Sequence, residues 1–358
     1  MFLAALLAIP NRPLLLAHVM PWFEKDGWHW KMNKPLPEGR VASHFQPIIG
    51  AYDSADRKVV ELQVQLMKLS GFDGIIADWY GTHNWYDYPI IHKRTQLLFE
   101  VAEQAGLKVC VMYEDQTVRN AIKGNLAETT RSVEYATADG AWLKPWVSKP
   151  SWLTLKGKPV AFVFGPQFFE KPEWDAFLTA AGSPVLLSEH KQVPSAGGAF
   201  DWPIPSLGMK FTWEYPSRAA SWGIKVASAF PRFKDFYDQG GGGKSHGELP
   251  DEGGKTYTET LSKAIDSGAD AIQVVTWNDW GEGTQIEPSK EFGLRDLIAT
   301  QVARRRIDPS FAFTKADLSA PLKLFEKRRA GDTERTRLAS TRLLSGDVEG
   351  ATKLLDRP

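Results

Sequence analysis

The sequence contains a single cysteine, Cys110, in 358 residues, and this excludes an intrachain disulfide. It also lacks a net charge, because Lys plus Arg and Asp plus Glu each total 43. A protein that holds nucleic acid or an anionic membrane by charge carries a basic excess, so neither partner is expected. The seven histidines and the cysteine form no metal-ligand spacing. We therefore predict no metal and no cofactor.

Long apolar runs are missing as well. None reaches the roughly 18 to 20 residues that span a bilayer, so no integral membrane segment is predicted. Residues 1–10 are apolar but short and lack a basic start, which fits only a weak or truncated secretion signal. The protein is expected in the periplasm or outside the cell if this segment is a signal, and in the cytoplasm otherwise.

Aromatic residues, in contrast, are abundant, with 14 Trp, 9 Tyr and 19 Phe. An indole ring in a polar or glycine-containing stretch serves either as core or as a platform that stacks on a ligand, and both roles stay open here. The tryptophans in such stretches are Trp28, Trp30, Trp79, Trp85, Trp202, Trp213, Trp277 and Trp280. Together with the zero net charge, they favour a neutral polymer, an oligosaccharide or polysaccharide, as the substrate.

Short apolar runs alternate with helix-like stretches, which is typical of parallel strands joined by crossover helices. Eight strands are predicted, over residues 13–19, 73–79, 107–113, 159–164, 184–188, 204–207, 224–229 and 269–276. Helices are predicted over residues 55–70, 93–105 and 255–267. Eight strands indicate an α/β protein with a closed (β/α)8 TIM barrel, although an open doubly wound sheet would share this pattern.

The composition becomes charged and helical beyond residue 311, with helices predicted over residues 318–329, 333–344 and 348–355. We therefore predict a barrel domain over residues 11–308 and a small C-terminal helical appendage over residues 309–358. We assign no chemistry to this appendage.

Residues 276–288 read Thr-Trp-Asn-Asp-Trp-Gly-Glu-Gly-Thr-Gln-Ile-Glu-Pro and follow the last predicted strand. Asp279 and Glu282 are therefore two carboxylates on a glycine-broken loop flanked by indoles. Hydrolysis of a glycosidic bond needs one carboxyl to protonate the departing oxygen and a second to activate a nucleophile. Barrel enzymes place such groups at the C-terminal ends of their strands. The pair predicts a glycoside hydrolase site; a helix cap and a solvated loop charge are the alternative.

The same segment closely resembles glycoside hydrolase family 99, the endo-acting α-mannosidases and mannanases, in which two glutamates three residues apart precede Gly-Thr-Gln-Ile-Glu. Residues 282–287 match this motif, whereas Asp279 stands where the family has glutamate. Residues 277–279 and 281–282 instead resemble family 71, the α-1,3-glucanases, whose motif carries Asp and then Glu. The similarity to family 99 extends patchily over residues 13–300 and includes Pro21-Trp22-Phe23.

The two resemblances imply different reactions. Family 99 implies retaining cleavage of an α-mannoside through a 1,2-anhydro sugar, with Asp279 as base toward the 2-hydroxyl and Glu282 as acid and then base. Family 71 implies inverting cleavage of an α-1,3-glucan, with the same two residues activating water. A carbohydrate-binding barrel without catalysis is the remaining alternative.

Other candidate substrate-binding residues lie near the predicted strand ends or in the motif itself. The family 99 resemblance implies a sugar contact for Glu114, with a salt bridge as the alternative. For five others packing or capping is the alternative; they are His44, Asp78, Trp79, Tyr80 and Tyr113. Arg232 is a candidate partner of the substrate or of a carboxylate. Trp277 and Trp280 are candidates for stacking on the sugar, and Glu287 is a candidate contact with a supporting role. The four glycines at residues 240–243 depart from the phosphate-loop pattern and are predicted to form a mobile border of the sugar cleft.

Overall fold

The computed structural model describes residues 12–356 and contains eight parallel strands. They are β1 (Leu14–Val19), β2 (Gly74–Trp79), β3 (Lys108–Tyr113), β4 (Lys158–Val163), β5 (Val185–Glu189), β6 (Gly198–Phe200), β7 (Ile224–Ala229) and β8 (Ala271–Val274). Each strand pairs with the next along the chain. The sheet closes because β8 also pairs with β1, with Leu14 opposite Ala271. The predicted (β/α)8 barrel is confirmed.

Helices surround this barrel. They are α1 (Trp28–Lys31), α2 (Arg57–Ser70), α3 (Tyr88–Gln104), α4 (Gln116–Lys123), α5 (Ser132–Val147), α6 (Lys171–Ala180), α7 (Gly208–Trp213), α8 (Tyr215–Arg218), α9 (Tyr237–Gly240), α10 (Lys255–Asp266), α11 (Arg295–Ile307), α12 (Ser319–Ala330), α13 (Glu334–Ser345) and α14 (Val348–Leu355). Two short antiparallel pairings are added to the barrel. Thr154–Leu155 pairs with the start of β4, and Phe233–Lys234 pairs with Glu248–Leu249 after β7.

The strands are apolar along their length because helices cover the outer face and side chains fill the inner one. All six residues of β2 are buried. The preceding helix α2 begins where the Asp56 side chain accepts a hydrogen bond from the backbone N–H of Lys58, at 2.9 Å. It ends at Gly71, whose φ of 96° is accessible to glycine at little cost. These local signals place β2 directly after the helix, as predicted.

The sixth predicted strand is wrong. Residues 204–207 contain a 3-10 helix, Pro205–Leu207, and the sixth barrel strand is Gly198–Phe200. Gly198 lies so close to Ile224 of the next strand that a Cβ atom would clash with the Ile224 backbone. A three-residue strand that begins with glycine carries almost no apolar periodicity, so the pattern could not reveal it.

Helices α12 and α13 pack on α2, and α14 packs on α12 and α13. The three helices share a small core of their own that includes Leu324, Leu343 and Leu355. Polar contacts anchor them: Glu61 of α2 pairs with Arg328, and Ser340 donates a hydrogen bond to Glu61 at 2.6 Å. The division into two domains stays a prediction. The predicted segment of residues 1–10 lies outside the described residues. Among the helices of residues 12–356, none is long and apolar enough to cross a membrane.

Candidate active site

A cleft of about 440 Å³ opens at the C-terminal ends of the barrel strands. His18 and Asp78 lie near the ends of β1 and β2, while Glu114, Trp202 and Asp279 directly follow β3, β6 and β8 or come within a few residues of them. Carboxyl groups and aromatic rings dominate the lining. Within the described part of the chain, no Lys or Arg side chain lines the cleft.

The loop that carries Asp279 is closed and anchored by short polar contacts. The backbone N–H of Asp279 donates to Thr276 Oγ1 at 2.7 Å, and this hydroxyl lies 2.9 Å from Thr284 Oγ1. Asn278 bonds both backbone groups of Met20 at the end of β1, at 2.8 and 3.0 Å. The sequence Thr-Trp-Asn-Asp thus fixes the position of the carboxylate before any substrate binds, which is what positioned catalysis requires.

Asp279 is buried, Glu282 is partly buried, and the two carboxyl groups differ in their surroundings. Burial raises the pKa of Asp279 to about 6, and the backbone N–H groups of Glu282 and Gly281 limit the rise. The Glu282 N–H lies 2.9 Å from Asp279 Oδ1. Burial, and then the negative charge of Asp279, raise the pKa of Glu282 well above its usual range. Glu282 is therefore the protonated member of the pair, and Asp279 ionises first.

The segment after β7 supports Glu282. The N–H groups of Lys234 and Phe236 donate to the carbonyls of Glu282 and Gly281, each at 2.8 Å. The Tyr237 hydroxyl lies 3.5 Å from Glu282 Oε1, whereas Glu282 Oε2 is buried and has no hydrogen-bond partner within residues 12–356. An orphaned carboxyl oxygen that faces a cleft is available to a ligand. Tyr237 was not predicted as a site residue. The only sequence signal for it is its position just before the glycine run.

A second carboxyl pair, Asp78 and Glu114, lies at the ends of β2 and β3. Burial raises the pKa of Glu114 to about 7, although a hydrogen bond from Gln116 opposes this. Burial, followed by the charge of Glu114, raises the pKa of Asp78 well above its usual range. Near neutral pH this pair therefore holds a proton, and it presents both a donor and an acceptor to the cleft.

The structure brings five of the twelve predicted site residues to the cleft lining: Asp78, Tyr80, Glu114, Asp279 and Glu282. The other seven lie elsewhere. They are His44, Trp79, Tyr113, Arg232, Trp277, Trp280 and Glu287.

Trp277 and Trp280, predicted to border the sugar, are both 0% exposed and do not line the cleft. Trp280 donates its indole N–H to Glu287 Oε2 at 2.9 Å. Glu287 also accepts from Tyr52 and Gln63, each at 2.7 Å, because a buried carboxyl needs donors. The two indoles and Glu287 thus form the core beneath the carboxylate loop, which corrects the predicted stacking and substrate-contact roles.

Trp79 and Tyr113 are also core residues. Successive side chains of a strand point to opposite faces, so Asp78 and Met112 face the cleft while their neighbours face the helices. The Trp79 indole donates to His92 Nδ1 at 3.1 Å, and the Tyr113 hydroxyl donates to Asp139 at 2.8 Å. Their predicted role at the cleft is corrected for this reason.

His44 and Arg232 lie beside a separate cavity of about 360 Å³. Arg232 is buried, pairs with Asp296 and with Asp251 at 3.1 Å, and donates to the carbonyl of Gln285 at 3.1 Å. The guanidinium of Arg232 is thus bonded to two carboxylates and one backbone carbonyl of the protein itself. Arg232 therefore holds the carboxylate loop from behind instead of lining the cleft.

Several cleft residues were not predicted as site residues. The Trp22 ring stacks on His29 at 4.6 Å, and Trp28 is 45% exposed beside them. On the far side, Trp202 and Phe164 meet edge to face at 5.3 Å. Trp22 belongs to the family 99 resemblance, and Trp28 and Trp202 were among the open candidates. No sequence pattern distinguished these tryptophans from those that do not line the cleft.

The glycine run at residues 240–243 is tied to the segment after α1. The N–H groups of Asn33 and Lys34 both donate to the carbonyl of Gly240 at 2.9 Å, and the Asn33 side chain donates to Gly241 at 2.8 Å. The predicted mobility of this loop stays a prediction, although its first half is well bonded.

Replacing Trp280 by alanine is expected to lower the free energy of unfolding by about 3 to 5 kcal/mol, because a buried indole is lost and Glu287 loses a donor. Denaturant unfolding measures this. The matched control is Trp28→Ala, since Trp28 is partly exposed and lines the cleft. We expect Trp28→Ala to weaken glycan binding in calorimetric titration with little change in stability. If the Trp280→Ala protein is stable but no longer binds glycan, Trp280 contacts the sugar and its assignment to the core is wrong.

Fold and site together define a barrel with paired carboxyl groups and aromatic rings in a cleft at its C-terminal face. Hydrolysis of a glycosidic bond requires such a pair of carboxyl groups. No family model matches the chain. The chain is similar to the glycoprotein endo-alpha-1,2-mannosidase-like protein of Danio rerio, with 24% identity over 295 residues. The match covers 72% of this chain and 64% of that relative, so it spans less than two thirds of the relative's length.

Solved structures show the same fold. A family 99 endo-alpha-mannosidase from Bacteroides thetaiotaomicron superposes with a TM-score of 0.62 at 18% identity, covering 82% of this chain and 98% of that one. Its complex with bis-tris-propane gives a TM-score of 0.60 at 19% identity, covering 84% and 99%. These comparisons confirm the resemblance to family 99. The likeness to family 71 stays a prediction.

Proposed function

We propose that this chain is a glycoside hydrolase that cleaves α-mannosidic bonds inside a glycan, with Glu282 as the acid and Asp279 as its partner. The observation that carries the proposal is the pair itself. A buried and a partly buried carboxyl group lie on one anchored loop of the cleft. Their surroundings raise the pKa of Glu282 further than that of Asp279, which rises to about 6. Such a difference assigns acid and base roles.

The reaction is the one that the family 99 resemblance implies, and these protonation states fit it. Asp279 takes the proton of the sugar 2-hydroxyl, and the 2-oxygen attacks the anomeric carbon. Glu282 protonates the departing oxygen as the bond from the anomeric carbon breaks. Water then opens the 1,2-anhydro sugar: Glu282 removes a proton from the water, and Asp279 returns its proton to the 2-oxygen. Neither carboxyl forms a bond to the sugar, and both end in their starting states.

The choice of an α-mannoside rests on the similarity to the Danio rerio and Bacteroides thetaiotaomicron proteins, which carry mannosidase names. Asp279 supports a second candidate, an inverting α-1,3-glucanase, because the family 71 motif has Asp at this position. The Asp279 side chain is one methylene shorter than glutamate, which leaves more room for a water molecule between the carboxyl and the sugar.

A panel of α-mannans and α-glucans tests the proposal. We expect α-mannan to be cut into oligosaccharides, and NMR during the first minutes to show the α-anomer of the new reducing end. Cleavage of α-1,3-glucan alone, with the β-anomer formed first, would support the second candidate. Binding without cleavage of any polymer would leave a carbohydrate-binding barrel.

A further inference from the structure

His18 is a polar residue at the floor of the cleft. It lies on β1 opposite Ile76 of β2, and its backbone carbonyl accepts a hydrogen bond from Trp277 N–H at 2.7 Å. Its ring lines the cleft but is only 1% exposed, and it meets the Trp202 ring edge to face at 4.9 Å. Backbone pairing and this ring contact fix the imidazole in one position.

The protein leaves the ring of His18 without full hydrogen bonding. Neither ring nitrogen has a hydrogen-bond partner within residues 12–356. Gln273 is near enough to favour protonation slightly, but its side-chain N–H groups are engaged with the Asp201 carbonyl at 2.8 Å and with Ser228. Only its Oε1 atom is free, so Gln273 can serve one ring nitrogen at most. The other nitrogen has no protein partner, and the ring that carries it lines the cleft.

The state of the ring limits what it can do there. Burial lowers the pKa of His18 to about 3, so the imidazole is neutral and carries one donor and one acceptor. A neutral ring supplies no charge to a transition state. No group of three side chains suited to a metal ion exists in the described part of the chain. A sugar hydroxyl, which both donates and accepts, matches either free nitrogen.

We propose that His18 is a specificity-determining residue whose free ring nitrogen hydrogen-bonds one hydroxyl of the sugar in the cleft. The neighbouring edge-to-face pair, Trp202 and Phe164, packs against the apolar face of the same sugar. The protein carries an unsatisfied buried group in the free state, and the substrate satisfies it. This inference rests on the proposed hydrolase function and adds a contact that selects the substrate.

The test combines specificity and stability in His18→Leu, which keeps a similar volume without polar atoms. Wild-type protein is expected to discriminate about 10- to 100-fold in kcat/KM against one monodeoxy analogue of an α-mannosyl oligosaccharide. In His18→Leu this discrimination should fall to nearly onefold at that position and persist at the others. His18→Gln, whose amide can reach towards the cleft, should retain part of it.

The stability arm separates this role from a structural one. Removing an unsatisfied buried polar group should raise the Tm of His18→Leu by about 2 °C. The matched control is His92→Leu, which removes the acceptor of the Trp79 indole outside the cleft and should lower the Tm. A lower Tm for His18→Leu, or unchanged discrimination at every position, overturns the proposal for His18. If neither wild-type nor variant protein cleaves any α-linked glycan, the proposed function itself has failed.

Discussion

Glu282→Gln is expected to reduce turnover of an α-mannan about 10²- to 10⁴-fold, the usual contribution of a positioned acid or base. Glutamine keeps the shape of the side chain but cannot give a proton to the departing oxygen. The substitution disturbs few contacts, because Glu282 Oε2 has no protein partner among the described residues and Oε1 has only the long contact to Tyr237. Binding of the glycan should therefore persist. Reducing-end assays and calorimetric titration measure the two effects.

The same variant should be more stable than the wild type above acidic pH. A carboxyl group whose folded pKa is raised above its unfolded value stabilises the fold while both states are protonated. That contribution is lost as pH rises from the unfolded pKa, about 4.3 for glutamate, toward the folded one. Glu282 has such a raised pKa, and glutamine does not titrate. We expect the Tm difference between variant and wild type to grow from pH 4 to pH 8.

Glu287→Gln is the matched control, because it is the same substitution in a buried carboxyl outside the cleft. Burial raises the pKa of Glu287 to about 7, but three side-chain donors surround it. Glutamine places an amide N–H₂ where the carboxyl group had an accepting oxygen, so one of these donors loses its acceptor. Stability should therefore fall, while turnover changes only a few-fold. Wild-type-like turnover by Glu282→Gln, or an equal loss in Glu287→Gln, would contradict the assignment of Glu282 as the acid.

Asp279→Asn is expected to cause a loss of the same order, about 10²- to 10⁴-fold, and to change the pH profile. Wild-type kcat/KM should rise as Asp279 ionises near pH 6 and fall at higher pH as Glu282 loses its proton. The apparent pKa values belong to the interacting pair. In Asp279→Asn the rise near pH 6 should disappear from the residual activity, since asparagine does not ionise.

Asp279→Glu provides the matched variant, because it restores the residue that family 99 has at this position. It should retain substantial activity if the 2-hydroxyl is the proton donor. If the rise near pH 6 survives in Asp279→Asn, the group that titrates is another carboxyl. Glu114, whose pKa burial raises to about 7, would then be the first to replace by glutamine.

Much of the barrel could be predicted from local patterns. The strand predicted over residues 224–229 coincides with β7, and the helix predicted over residues 348–355 coincides with α14. Both are bounded by glycines or capping residues, which act within a few residues of the chain. The sixth strand could not be predicted, because Gly198 is selected by its contact with Ile224, a residue 26 positions away in the chain.

The sequence of the carboxylate loop, which follows a predicted strand, was also sufficient to place Asp279 and Glu282 at a strand end. The exposure of its indoles was wrongly predicted, because the residues next to a tryptophan in the sequence do not determine whether its ring is buried. Trp280 and Trp28 both lie near polar residues and glycines, yet one is 0% and the other 45% exposed. The difference arises because Trp280, Tyr52 and Gln63 meet around the Glu287 carboxyl only after the barrel has closed.

The sequence by itself determined the alternation of strands and helices, the position of the carboxyl pair along the chain and the resemblance to family 99, because these depend on periodicity, caps and a contiguous motif. Only the tertiary structure decided whether the sheet closes, which side chains face the cleft, which carboxyl holds its proton more strongly and which indoles are core. Side-chain direction depends on strand register, and a pKa depends on burial and on charges brought from distant parts of the chain. Those neighbours come together only when the eight strands close.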